Sequence, residues 1–93
     1  MSEIIYHPLT DEQKAWLKAY RPADERFTSF KEMDSIFSVL KLGDLHGEEL
    51  RHIRNSVVLF YSEIPNYDIT ALWSVTAAID YYRVNHGIPV VDL

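Results

Sequence analysis

The chain has 93 residues, of which 47% are apolar and 13% aromatic, so it can bury one hydrophobic core and is neither disordered nor long enough for two domains. Its net charge of −5 arises from 14 carboxylates and 9 basic residues, mixed along the chain without a basic stripe, which argues against nucleic-acid binding. No cysteine is present, so disulfides, thiolate nucleophiles and cysteine metal sites are excluded.

The first two predicted helices begin at capping signals. Thr10 and Gln13 fit a capping box that opens a helix over about 11–20, which ends before Pro22. Ser29 repeats this pattern and opens a second helix over about 29–42, and Gly43 is expected to end it in a left-handed conformation. Five apolar residues form one stripe of this second helix: Phe30, Met33, Ile36, Phe37 and Leu40.

Two longer helices follow a break at 44–47. The third is predicted over about 48–63, with Pro65 after it. Its core stripe has a clear helical period and consists of Leu50, Ile53, Val57, Phe60, Tyr61 and Ile64. Asp68 is expected to cap a fourth helix over about 69–86. The pattern therefore predicts an all-α, compact four-helix domain over 1–93, with the third and fourth helices as a central antiparallel pair because their connection is short.

The terminal segments carry short β-prone runs. Ile4-Ile5-Tyr6 and Val90-Val91 each lie next to a proline, and we expect extended arms that could pair as a small ribbon. His7 belongs to the first of these arms. The N-terminus lacks the residue order of a signal peptide, and no apolar run reaches the length of a membrane span. We therefore expect a cytoplasmic protein that binds neither membranes nor nucleic acid.

The fourth helix departs from a simple amphipathic pattern because it carries a second apolar stripe opposite the first. This stripe consists of Trp73, Ala77, Tyr81 and Val84. A helix that is apolar all round is either central in the fold or bound to a partner. The stripe is thus either core or part of a partner-binding or self-association surface, for which aromatic residues are favoured anchors. Leu59 lies opposite the core stripe of the third helix and indicates the same two alternatives.

Polar clusters do not form a recognisable catalytic or metal-binding motif. His46, Glu48, Glu49 and His52 surround the start of the third helix, but only one Glu-x-x-His pair is present, whereas di-metal bundles need two. The three glycines lie at predicted helix ends rather than in a phosphate-binding loop. We therefore assign no catalytic residue, metal ligand or cofactor.

Arg51 and Arg54 lie three residues apart on the third helix and frame its apolar stripe. They are interpreted either as part of a binding surface or as a solvated flank paired with Glu48 or Glu49. With Tyr81 and Tyr82 they could also contribute to a nucleotide or small-molecule site between helices or across a dimer seam.

These features favour a non-enzymatic protein-interaction module, such as a small inhibitor or regulator that binds a larger protein, with a homodimer as a further expectation. The alternatives are a helical oligomer that binds a small molecule or nucleotide, and an enzyme without a recognisable motif.

Overall fold

The computed structural model describes residues 7–24, 26 and 28–85. It contains four α-helices, Asp11–Ala19 (α1), Phe30–Leu40 (α2), Glu49–Ser62 (α3) and Ile69–Asn85 (α4), with a 3-10 turn at Leu42–Asp44. No strand occurs among these residues. The predicted all-α four-helix fold is confirmed, with helix ends shifted by one or two residues. The predicted ribbon would involve residues 4–6 and 90–91, which lie outside the described residues.

The helix starts follow the capping signals in the sequence. Gln13 N donates to Thr10 Oγ1 at 3.1 Å, and Thr10 N donates to Gln13 Oε1 at 2.9 Å, which completes the predicted capping box. Asp68 Oδ1 accepts a 2.9 Å hydrogen bond from Thr70 N at the start of α4. These caps satisfy backbone amides that have no partner within the helix.

The end of α2 differs from the prediction that Gly43 would terminate it. Lys41, with φ 54°, adopts the left-handed conformation instead, and the 3-10 turn follows immediately. This turn carries Leu42 into the core, where it is 0% exposed. Burying a leucine contributes about 1.5–3 kcal/mol, which offsets the roughly 1–2 kcal/mol that a left-handed residue with a Cβ requires.

The core lies where α4 packs against α2 and α3. Tyr61 contacts Tyr67 near the α3–α4 connection, whereas Arg54 contacts Asp80 far from it, so the two helices run antiparallel. The buried Tyr61 also donates a 2.9 Å hydrogen bond to Leu17 O, which attaches α1. The largest fully buried side chains are Leu17, Ile36, Leu40, Leu42, Leu50, Ile53, Val57, Tyr61, Val75 and Ile79.

The segment before α1 is attached to α3, contrary to the prediction that His7 lies in a surface arm. His7 N donates to His52 O at 3.3 Å, and Ser56 Oγ donates to His7 O. Leu9 then packs against the core. Backbone hydrogen bonding and apolar burial together fix this stretch, and neither is visible in the local sequence pattern.

Candidate interaction surface

The second apolar stripe of α4 is exposed, whereas most other residues of the helix are buried or half-buried. Trp73 is 61% exposed, Val84 58% and Tyr81 41%, and Ala77 between them is exposed as well. The buried residues of α4 occupy the remaining, wider arc of the helix. Helix α4 is therefore central in the fold and at the same time presents one apolar strip to solvent.

Phe30 extends this strip across to α2. Its ring lies 6.1 Å from that of Tyr81 in an edge-to-face arrangement, and the side chain is 70% exposed. Phe30 was predicted to lie on one apolar stripe with Met33, Ile36, Phe37 and Leu40, but it is not part of the core. At about 100° per residue Phe30 lies at the edge of that stripe, about 80° from Leu40, and it is the first residue of the helix. This edge position was the signal that could have identified it.

These five residues form one continuous surface, which we call the α4 face: Phe30, Trp73, Ala77, Tyr81 and Val84. Four of them come from α4 at spacings of four, four and three residues, which keeps them on one side of the helix. Three are aromatic, the residue class that dominates binding energy in protein interfaces. Beside Trp73 the surface dips into a groove of about 200 Å³, whose wall includes Thr70 and Thr28.

A row of hydrogen bonds links the helices that carry the residues of the α4 face. Tyr20 OH donates to Glu32 Oε2 at 2.9 Å, so the 2.7 Å contact of Tyr20 with Ser74 requires the Ser74 hydroxyl to donate. Thr28 Oγ1 then donates to Ser74 Oγ at 2.6 Å. The row connects the end of α1 with α2 and α4 and so links the two helices that carry Phe30 and Trp73.

The electrostatics of this row favour a neutral Tyr20 beside an ionised Glu32. Burial raises the pKa of Tyr20 to about 12; the Ser74 hydrogen bond opposes this shift, and Glu32 reinforces it. Burial also acts to raise the pKa of Glu32, but hydrogen bonds from Tyr20, the Ala23 amide and Ser29 outweigh it, and the net pKa is lowered. At neutral pH Tyr20 is therefore protonated and Glu32 ionised, so these hydrogen bonds keep one arrangement. Their role is to hold together the helices that carry the α4 face.

The two arginines proposed for the interaction surface are held in ion pairs. Arg51 Nη1 lies 2.9 Å from Glu48 Oε2, which agrees with the interpretation as a solvated, paired flank. Arg54 Nε lies 2.9 Å from Asp80 Oδ1, so its partner is on α4 and not at the start of α3 as predicted. Asp80 also lies 3.5 Å from Arg83, a buried residue of α4. Arg54 therefore joins α3 to α4 along one margin of the α4 face.

Leu59 lies apart from the α4 face. It is 41% exposed and lines a second groove of about 200 Å³ beside the segment that precedes α1, with Pro8, Leu9 and Lys14. Leu59 and Arg54 are about 140° apart around the axis of α3, and Arg54 faces α4. The sequence pattern grouped these residues, but the structure places Leu59 on a separate surface.

Within the single chain, Tyr81 and Tyr82, two of the residues considered for a nucleotide site, contact different neighbours. Tyr82 packs edge-to-face on Phe37, with ring centroids 5.1 Å apart, while the adjacent Tyr81 contacts Phe30. In the part of the chain that the structure describes, no three His, Asp or Glu side chains are placed to hold a metal ion. The Glu49 carboxylate accepts a 3.0 Å hydrogen bond from His46 N at the start of α3.

No helix within the described residues is both long enough and apolar enough to cross a membrane. Comparisons with protein-family models, with curated proteins and with solved structures found no significant match to this chain. The functional interpretation therefore depends on the α4 face itself.

Proposed function

We propose that this chain is a non-enzymatic protein-interaction module, of the small inhibitor or regulator class, that binds protein through the α4 face. The observation that carries the proposal is the exposure of three aromatic side chains and Val84 on one continuous surface. A lone exposed apolar residue is normal, whereas the largest contiguous apolar patch on a protein surface, typically several hundred Å², is often functional. The absence of cysteine also favours a cytoplasmic setting for this role.

The α4 face is suited to binding because the helix that carries most of it is already packed in the single chain. Tyr81 is already positioned by Phe30, and Trp73 lies on a helix that is held from both sides by α2 and α3. Preorganised aromatic side chains lose little conformational entropy when a partner covers them, so more of the interaction energy appears as affinity.

Affinity capture from lysate of the source cells, after brief chemical cross-linking, tests this proposal. We expect the tagged wild-type chain to recover a stoichiometric protein, and the Trp73→Ala, Tyr81→Ala double variant to lose it. Leu59→Ala is the matched control, because Leu59 is similarly exposed but lies on another surface, and it should retain the capture. If all three baits recover the same proteins in equal amounts, the α4 face is not the binding surface.

A further inference from the structure

We infer that the partner of the α4 face is a second copy of this chain, packed so that two α4 helices cross antiparallel at Ala77. This inference rests on the proposed function, because it names the partner of the same surface. Three features of the described residues support it: the order of large and small side chains along α4, the area of the face and the pairing of the charges around it.

The order of side chains is self-complementary. Ala77 is the small residue at the centre, and Trp73 and Tyr81 stand four residues before and four after it. A two-fold axis at Ala77 places the two α4 helices antiparallel. Trp73 of each copy then lies opposite Tyr81 of the other, so this contact forms twice. Small residues at a crossing point allow two helices to approach closely, while large ones on both sides fill the remaining space.

The same axis brings aromatic rings of the two copies into contact with one another. Phe30 already lies edge-to-face on Tyr81, so Trp73 of the second copy would add a third ring to each pair. Offset and edge-to-face aromatic pairs contribute energy beyond their buried area. Val84 meets Thr70 in this register, and both are exposed or half-buried in the single chain. In this register the four α4 residues of the face lie opposite uncharged side chains, and Asp80 at the margin lies opposite Ser74.

The area of the face is sufficient for a dimer. With about 150–250 Å² for a whole aromatic side chain, the exposed fractions of Phe30, Trp73, Tyr81 and Val84, together with Ile69 beside them, give roughly 500 Å² per chain. Full coverage of this area in two copies would bury roughly 1,000 Å², which is the threshold for a biological interface and corresponds to a weak, concentration-dependent dimer. The exposed apolar residues of the α4 face are contiguous and not scattered, and a second copy presents a face of the same area.

The charges around the face do not call for a charged partner. Asp80 is paired with Arg54 at 2.9 Å, Asp24 with Arg26 at 3.4 Å, and Asp68 with Arg21 at 3.6 Å. These three carboxylates are therefore paired within the chain, which carries −5 overall. A surface of this kind favours an apolar and locally neutral partner, which a second α4 face provides.

Disulfide trapping tests the predicted crossing point, since the natural chain contains no cysteine. In Ala77→Cys the two new thiols would lie next to each other on the axis, where the two helices approach most closely; a disulfide needs Cβ atoms about 3.5–4.5 Å apart. We expect mild oxidation to convert most of this variant into a covalent dimer. Leu59→Cys, an exposed control off the face, should remain mostly monomeric under the same conditions. Equal yields of dimer from both variants would overturn the inference.

Charge substitution at the same position gives a second, independent test by analytical ultracentrifugation of the purified chain. Ala77→Glu and Ala77→Lys should each weaken dimerisation at least tenfold, because two like charges meet on the axis. An equimolar mixture should recover a mixed dimer. A wild-type chain that stays monomeric at high micromolar concentration would overturn the inference, yet leave the proposed function intact if capture from lysate still depends on Trp73 and Tyr81.

Discussion

Replacing Ile79 with alanine is expected to lower the free energy of unfolding by about 2–5 kcal/mol, whereas Trp73→Ala should change it by less than about 1 kcal/mol. Ile79 is 0% exposed in the core, so truncation leaves a cavity. Trp73 is the larger side chain but is 61% exposed, so its loss opens no cavity. Urea denaturation followed by circular dichroism measures both values.

The comparison separates the two interpretations of α4 that the sequence left open. The measurement belongs at low protein concentration, because self-association stabilises the folded chain by mass action and would add to the apparent effect of Trp73→Ala. If Trp73→Ala unfolded the dilute protein as severely as Ile79→Ala, the exposed stripe would belong to the core and the interaction surface would be wrong.

The second large effect is a loss of stability in alkaline solution, because burial opposes the ionisation of Tyr61. Burial raises the pKa of Tyr61 to about 12; Arg21 lowers it, and Tyr20 and Asp68 raise it further. A folded pKa above the unfolded value of 10.0 means that the stabilisation is complete below pH 10 and is lost as the pH rises towards 12. For Tyr61 this loss is on the order of 2–3 kcal/mol.

The variant Tyr61→Phe provides the control for this pH dependence. It removes the ionisable hydroxyl and its hydrogen bond to Leu17 O, so the variant should be somewhat less stable at pH 7. Between pH 10 and pH 12 its free energy of unfolding should fall less steeply than that of the wild type. Equal slopes for the two proteins, measured by urea denaturation at several pH values, would show that Tyr61 does not resist ionisation.

The parts of the fold that sequence reasoning predicted well are those decided by neighbouring residues. Thr10 with Gln13, and Asp68 with the first amides of α4, act over a few positions, so their roles are visible in the chain itself. The helical period of Leu50, Ile53 and Val57 likewise identified the buried side of α3. The end of α2 was missed because the burial of Leu42, a tertiary effect, outweighed the preference for glycine in a left-handed conformation.

The candidate surface was predicted only in part, because it depends on which elements meet in space. The spacing of Trp73, Ala77 and Tyr81 placed them on one side of α4, and their exposure could not be read from that spacing. Phe30 joins them through the packing of α2 on α4, and it precedes Tyr81 by half the chain. Leu59 was grouped with them because it is apolar, but its position around α3 places it elsewhere.

The central claim is that another copy of the chain covers the α4 face, and the accessibility of Trp73 tests it most directly. The chain has two tryptophans, so Trp16→Phe leaves Trp73 as the only one, and acrylamide quenching of its fluorescence reports its exposure. We predict strong quenching in dilute protein and clear protection as the concentration rises. The converse variant Trp73→Phe, which retains Trp16 stacked on Tyr20, should show no such dependence. If Trp73 is quenched equally at every concentration, no second copy covers the face.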